Sequence, residues 1–251
     1  MYVFRRFGFH VVKFFHSLIL IFRFFGHLFH SLKDVLFGGL SISWFNMVEI
    51  LYYSGARLVI PLMFICYLIT FSEAKTIFLL FNSFHLGHKA LAISQNILTH
   101  EILPVFIGFI MCIQAALHLI NTRLKRLRQS PEEVILEHVW PIIVGLNITS
   151  LLLFTYIIVI VFISFYMTFH YLSSMTTYEY LTFVTSRNSI YDLIYSAFKT
   201  LTLSAIVSLA AGYYYYEAAV RHISLRKAVS RIMTRGSFWL ILTSMYITFI
   251  I

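Results

Sequence analysis

The sequence predicts an all-α polytopic membrane protein, and three features lead to this fold class. Of the 251 residues, 60% are hydrophobic and only 12% are charged. A soluble domain has about 25% charged residues and cannot bury so much apolar surface. The apolar residues form long stretches, each near the roughly 20 residues that a helix needs to cross a bilayer. The lysines and arginines collect between alternate pairs of these stretches.

Five apolar stretches are long enough, or nearly so, to span the membrane as helices. The third has no charged residue, and the fifth is short unless its helix begins near Ala228. The five are residues 58–80, 102–120, 140–167, 190–216 and 237–251. We therefore expect a single transmembrane domain over residues 1–251, with a five-span bundle from residue 57 onward.

The basic residues orient this bundle. Of the 19 lysines and arginines, 15 lie in three segments: before span one, between spans two and three, and between spans four and five. Three lie in the alternate loops. The positive-inside rule then predicts a cytoplasmic N-terminus and an external C-terminus. We expect a bacterial inner membrane, with an organellar inner membrane as the alternative. Because the net charge of +9 is explained by these loops, no nucleic-acid partner is expected.

The first forty residues have an amphipathic pattern. Polar side chains recur every three, four or seven positions, and Phe, Leu and Ile fill the other face. This pattern is typical of a helix in the membrane interface, and a sixth span is the alternative. The stripe comprises Arg6, His10, Lys13, His16, Arg23, His27, His30 and Asp34. Basic residues expected at lipid head groups are Arg5, Arg6, Lys13, Arg23, Arg123, Lys125, Arg126 and Arg128.

The loop between spans two and three contains the signals of a helix start. Ser130 is suited to the N-cap, Pro131 to the first helical position, and Glu132 and Glu133 to the first turn. A short cytoplasmic helix over residues 131–138 is predicted. It is either a simple connector or a docking helix for a cytoplasmic partner.

A histidine, a carboxylate and a proline stand at the predicted mouth of span two. His100 and Glu101 directly precede the span, and Pro104 lies just inside it. Ionisable groups near a span are costly and are usually functional or paired. By the predicted topology they lie near the outer end, where they either meet a lipid head group or end the helix in the aqueous interface. Pro104 permits a break that opens space beside the span.

Other charged residues interrupt the apolar stretches. Lys199 and Asp192 are seven residues apart and share one helix face. Lys199 either anchors span four at the outer boundary or attracts a lipid phosphate. Glu73 and Lys75 are predicted to mark the outer water boundary of span one.

The cysteines and histidines do not predict a metal site or any other cofactor. Cys66 and Cys112 fall inside apolar stretches and are expected to be buried core residues, not a disulfide or metal pair. Two histidine pairs have i, i+3 spacing, but no third ligand lies nearby. The chain also lacks a Walker A sequence, so ATP hydrolysis is not expected of it.

Several segments resemble one family of membrane proteins. "EILYYSGARLVIPLMFICYLITF" resembles the family segment entering the first span. "HEILPVFIGF" resembles the family's Arg-Glu-Leu-Gly-Pro signature and retains its glutamate, Glu101, and its proline, Pro104. "YDLIYSAFKTLTLSAIVSLAAGYY" and "RKAVSRIMTRGSFWLILTSMYITFII" resemble its last two spans. The family is MlaE/YrbE, the permease subunits of ABC transporters that work with MCE proteins in lipid transport. Its layout is an N-terminal interfacial helix, five spans and a helix between spans two and three.

The resemblance implies a permease that is not itself an enzyme. It would form a homo- or heterodimer around a phospholipid-translocation cavity, bind cytoplasmic ABC ATPase subunits and pair with periplasmic MCE-domain subunits. From the resemblance together with the charges described above, the candidate lipid-path residues are His100, Glu101, Pro104, Gln114 and Lys199. The implied ATPase-coupling residues are Glu132, Glu133 and Glu137.

The sequence departs from the family pattern at three places near the second span. His100 and Gln114 stand where arginines are usual, and Leu103 replaces a glycine. These departures suggest a specialised paralogue, such as one half of a heterodimeric permease.

The alternative is a membrane subunit of a rotary ATP synthase or respiratory complex, either proton-conducting or structural. "ALAISQNILTHEIL" has some similarity to the proton-conducting subunit a of ATP synthase. That mechanism needs an intramembrane arginine, and none lies near the matching positions, Ala92 and Ile93. The partner proteins distinguish the two hypotheses.

Overall fold

The computed structural model describes residues 2–37, 43–121, 131–187, 190–221 and 223–250, and every regular element in these ranges is helical. The predicted all-α fold class is confirmed. The α-helices are α1 Tyr2–Leu36, α2 Trp44–Ser54, α3 Val59–Asn82, α4 Gly87–Asn96, α5 Leu103–Asn121, α6 Pro131–Val134, α7 Trp140–Ser173, α8 Thr177–Arg187, α9 Ile190–Arg221, α10 Leu225–Arg231 and α11 Ser237–Ile250.

Three π-helical turns join neighbouring helices into longer ones. Ile97–Ile102 joins α4 to α5, Ile135–Val139 joins α6 to α7, and Ile232–Gly236 joins α10 to α11. The first two turns end two residues before Pro104 and Pro141, so each contains the residue four positions before its proline. A proline ring clashes with the carbonyl four residues earlier, and the wider π turn relieves this clash. The chain therefore stays helical through both prolines.

This continuity corrects two sequence-based boundaries. The helix that contains span two begins at Gly87, so His100 and Glu101 lie within it and not at its mouth. The predicted short helix over 131–138 is not separate, because α6 and its π turn run directly into α7. The last helix begins at Leu225, which confirms the early start that span five required.

Five segments are long and apolar enough to cross a membrane, and they differ in one member from the predicted set. Four of them contain predicted spans one to four, whereas the remaining one is the N-terminal stretch 15–35. Predicted span five corresponds to α11, which has 14 residues, continued toward the N-terminus by a π turn and α10. The segments are residues 15–35, 44–82, 89–120, 135–173 and 191–221.

Helix α7 is the centre of the bundle and packs against α2, α3, α5 and α9. Small residues allow this close packing, as in many membrane bundles. A Cβ atom added at Gly145 would lie 3.0 Å from Ile50 Cγ2, and one added at Gly236 would lie 2.8 Å from Cys112 Sγ. Cys66 and Cys112 are both buried and free, as predicted.

Hydroxyl side chains in the bundle bond to their own helices. The hydroxyls of Thr70, Thr168 and Thr200 donate to the carbonyl four residues earlier, at 2.7, 2.8 and 2.7 Å. A polar group in an apolar bundle must find a partner inside the protein, and the backbone supplies one here.

Helix α1 docks along α9 through aromatic side chains. Phe24 is 1% exposed, and its ring lies 5.7 Å from the ring of Tyr213 and 5.5 Å from that of Tyr216. On another face, Phe22 and Phe29 are exposed. Thus α1 has one face fixed to the bundle and one open apolar face. Among the basic residues predicted to meet lipid head groups, Arg23 is exposed. The side chains of Arg5, Arg6 and Lys13 lie outside the described part of the structure, and so do residues Arg123, Lys125, Arg126 and Arg128.

Candidate functional site

Three residues from distant parts of the sequence form a charged cluster. Lys199 of α9 is 1% exposed, and its Nζ donates to Glu101 Oε2 at 2.7 Å. The same ammonium donates to Thr248 Oγ1 at 3.1 Å. The Thr248 hydroxyl lies 2.9 Å from the same oxygen of Glu101, to which it can donate. The cluster therefore joins α9, the π turn before α5, and α11.

The two members of the ion pair differ in exposure. The Lys199 side chain is 0% exposed, whereas that of Glu101 is 44% exposed. A buried ammonium is costly without a counter-charge, so Glu101 supplies what Lys199 needs. The hypothesis that Lys199 anchors span four at the outer water boundary is wrong, because its ammonium lies inside the bundle. The carboxylate is the member that a ligand from outside can reach.

His100 lies beside this pair and is held by α9. Its Nδ1 is 2.8 Å from Ser196 Oγ, and Ser196 Oγ donates to the carbonyl oxygen of Asp192 at 3.0 Å. A hydroxyl has a single proton, so a Ser196 that donates to Asp192 accepts from His100 Nδ1–H. The other ring nitrogen of a neutral His100 is then an acceptor. The imidazole also packs on Tyr195, with 5.8 Å between ring centroids.

A polar cavity of about 370 Å³ adjoins His100. It lies between α4, the π turn, α8 and the start of α9, and Gln95, His100 and Asp192 are among the polar residues around it. Gln95 is 4% exposed, and its Nε2 has no hydrogen-bond partner among the described residues. A buried amide without a partner is unfavourable unless a ligand or water completes its bonding. The full lining is Ala92, Ile93, Gln95, Asn96, Ile97, Thr99, His100, Phe183 and Asp192.

Some predicted lipid-path residues do not take part in the cluster. Gln114 is half-buried on α5, about 20 Å along the helix from Glu101. Gln114 is therefore not part of this cluster, and its place on a lipid path stays a prediction. Pro104 is buried and contributes indirectly, because it follows the π turn that contains His100 and Glu101.

The predicted coupling residues lie on the first turns of the helix that continues into α7. Glu133 and Glu137 are exposed, and the side chain of Glu132 lies outside the described part. The carbonyl oxygen of Glu137 accepts from Asn46 Nδ2 at 2.8 Å, which ties this helix to α2.

Glu73 does not mark the end of span one as predicted. It lies well inside α3, which continues to Asn82, and both of its carboxyl oxygens are buried. Neither oxygen has a hydrogen-bond partner among the described residues. Lys75, by contrast, is exposed.

Sequence reasoning missed three site residues: Gln95, Ser196 and Thr248. Ser196 precedes Lys199 by three residues on α9, so helical spacing would have placed both on one face. Thr248 and Gln95 have no such signal, because a hydroxyl or amide in an apolar helix is usually satisfied by its own backbone.

A family comparison now bears on this site. Residues 124–250, half of the chain, match the family described as Permease MlaE. The chain belongs to the MlaE permease family. It is therefore a membrane permease subunit of an ABC-type lipid transporter, and the rotary ATP synthase and respiratory alternatives are not supported. The matched segment includes Lys199 and Thr248, whereas His100 and Glu101 precede it. No curated protein matches the sequence.

Proposed function

We propose that this permease moves phospholipid along a path that passes the Glu101–Lys199 pair and the adjoining polar cavity. The observation that carries the proposal is a fully buried lysine whose carboxylate partner is 44% exposed and directly follows His100, which lines that cavity. Ionisable groups inside a membrane bundle are usually kept for a substrate path or for each other. Here one pair serves both purposes, since Glu101 neutralises Lys199 and remains accessible.

The cavity suits a lipid head group better than a whole lipid. Its volume of about 370 Å³ is at the lower end of the roughly 300–1,000 Å³ of ligand pockets. His100 and Asp192 both border this space, so an imidazole and a carboxylate face whatever polar group occupies it. The acyl chains would lie outside the cavity, along apolar surface open to the membrane.

The family relationship supports a proposal for dimerisation and energy supply. In this proposal a second permease copy, identical or related, completes the lipid cavity, cytoplasmic ATPase subunits drive transport, and periplasmic MCE-domain subunits exchange the lipid. The N-terminus faces the cytoplasm of an inner membrane, as the basic loops predict.

Coupling to the ATPase would pass through the long helix that begins at α6. Glu133 and Glu137 are exposed near its start, and the helix runs without a break into α7. Helix α7 packs against α9, which carries Lys199. A displacement at the exposed start can therefore reach the proposed lipid path through one helix contact.

The first test is purification of the native complex in mild detergent, with mass spectrometry of its protein chains and extracted lipids. We expect an ABC ATPase, an MCE-domain protein and phospholipid. Rotary-ATPase or respiratory subunits in their place would contradict the proposal.

Site variants then test the lipid path itself. Glu101→Gln/Lys199→Met removes both charges of the pair together, and Lys75→Met, at an exposed lysine on α3, is the matched control. We expect the double variant to lose most phospholipid transport in reconstituted vesicles and the control to retain it. Equal transport by both variants would exclude the pair from the path.

A further inference from the structure

A second cavity, of about 500 Å³, lies at the other end of the bundle from the Glu101–Lys199 pair. Glu217 of α9 is in its wall, about 27 Å along the helix from Lys199. The wall also includes residues of α1, the π turn after α10, and α11. The two cavities are therefore separate sites near opposite membrane faces.

Three guanidinium groups surround this cavity, and one carboxylate holds two of them. Arg221 Nη1 donates to Glu217 Oε1 at 3.0 Å, and Arg231 Nη1 donates to Glu217 Oε2 at 2.7 Å. Glu217 is 5% exposed, so both arginines are drawn to a fixed, buried point. A guanidinium has five N–H donors. Arg231 uses one of them on Glu217, whereas Arg221 uses one on Glu217 and another, at 3.2 Å, on the carbonyl oxygen of His16.

The third cation is held by an aromatic ring. Arg235 Cζ lies 6.0 Å from the centroid of the Tyr214 ring, within the range of a cation–π contact. Arg221, Arg231 and Arg235 against the single carboxylate of Glu217 leave a formal excess of two positive charges around the cavity. Such an excess favours a dianionic or monoanionic phosphate, whose oxygens match guanidinium geometry.

Part of the remaining wall is apolar and exposed at the surface of the bundle. Ile21 of α1 and Phe238 and Trp239 of α11 line the cavity, and their side chains are 40%, 60% and 49% exposed. Tryptophan is enriched at the head-group level of bilayers, where one part of the ring is apolar and one is wet. A rim of this kind fits the glycerol and upper acyl region of a lipid, whereas an acidic protein segment would not need it.

We propose that this cavity binds the phosphate of an anionic phospholipid in the leaflet at the basic end of the bundle. By the positive-inside rule this is the inner leaflet. The lipid would bridge α1, α9 and α11, because the cavity wall draws on all three. This inference does not depend on the proposed transport path, and its test measures bound lipid and not transport.

The test is native mass spectrometry of the purified complex from nanodiscs with equal phosphatidylglycerol and phosphatidylcholine. Arg235→Gln is the main variant, because Arg235 is outside the Glu217 ion pairs and its loss leaves them intact. Arg226→Gln is the matched control, an exposed arginine of α10 that does not line the cavity. Loss of one charge-assisted contact is expected to lower retained phosphatidylglycerol by about tenfold. Arg235→Lys, which keeps the charge, should restore part of it.

Each outcome decides the proposal. Loss of phosphatidylglycerol in Arg235→Gln but not in Arg226→Gln, unaffected by excess inorganic phosphate, supports a lipid site. Displacement of the lipid by inorganic phosphate would overturn the lipid assignment in favour of a free phosphate. Equal phosphatidylglycerol in all variants would overturn the site. A loss of protein partner from the Arg235→Gln complex with no change in lipid would instead indicate an acidic protein segment.

Discussion

Replacing Glu101 by glutamine is expected to destabilise the bundle strongly, because it leaves Lys199 without a counter-charge. The ammonium lies 2.7 Å from Glu101 Oε2 and its side chain is 0% exposed. Removing one partner of a buried ion pair costs about 3–5 kcal/mol. Because the Glu101 side chain is 44% exposed at the surface of the bundle and the pair is only half-buried, we expect the lower end, about 3 kcal/mol. For a chain of this size that is a fall in Tm of about 6–12 °C.

The assay is thermal unfolding of the purified protein in detergent, followed for wild type, both single variants and the double variant. Lys199→Met leaves an unpaired Glu101 that is less buried than Lys199, so the loss of stability should be smaller. Glu101→Gln/Lys199→Met contains no unpaired charge and should unfold within about 1 kcal/mol of wild type. The cycle should therefore show a coupling of at least about 2 kcal/mol.

Two results would refute this reasoning. A Tm change of less than about 2 °C in Glu101→Gln would mean that Lys199 finds another partner. A double variant as unstable as Glu101→Gln would mean that the loss comes from packing and not from the unpaired charge. A stable double variant that no longer transports lipid would separate the structural role of the pair from its proposed role in the path.

Three further predictions concern packing and capping. Phe24→Ala should release α1 from α9 and speed amide hydrogen exchange in α1, whereas Phe22→Ala, at a 69% exposed residue, should not. Equal exchange rates in the two variants would refute the docking. Gly236→Ala should lower the free energy of unfolding by about 1–3 kcal/mol, because the added Cβ would lie 2.8 Å from Cys112 Sγ. Adding Cys112→Ala should recover most of the lost Tm, and no recovery would mean that the strain lies elsewhere. The backbone N–H and hydroxyl of Thr176 hold the pKa of the exposed Glu179 carboxyl below its usual value. This capping contribution is present above the unfolded pKa and is lost as pH falls through the folded pKa. The Tm gap between wild type and Glu179→Gln should thus exist at neutral pH and close as the pH falls through the folded pKa, and a gap independent of pH would contradict it.

The capping of α8 shows where sequence prediction stopped short. Thr176 N donates to Glu179 Oε2 at 2.8 Å and Glu179 N donates to Thr176 Oγ1 at 3.3 Å, a reciprocal capping box. The S/T-x-x-E signature is present in the sequence, yet no helix was predicted there. In contrast, the prediction of buried, unpaired Cys66 and Cys112 was confirmed, since it required only their apolar surroundings.

The sequence by itself determined that the chain is an all-helical membrane protein, because long apolar stretches can satisfy their backbone only as helices in lipid. It also singled out His100, Glu101 and Lys199, since a charge in an apolar stretch has a cost that can be read without a structure.

Only the tertiary structure decided how these residues are used. Glu101 and Lys199 meet although they lie on different helices, and Thr248 joins them from a third. Gln114 was predicted from the sequence as a lipid-path residue together with Glu101 and Lys199, but it lies about 20 Å along the helix from Glu101. Sequence spacing reports which residues share a face of one helix, whereas contacts between helices depend on packing angles and close approaches such as that at Gly145.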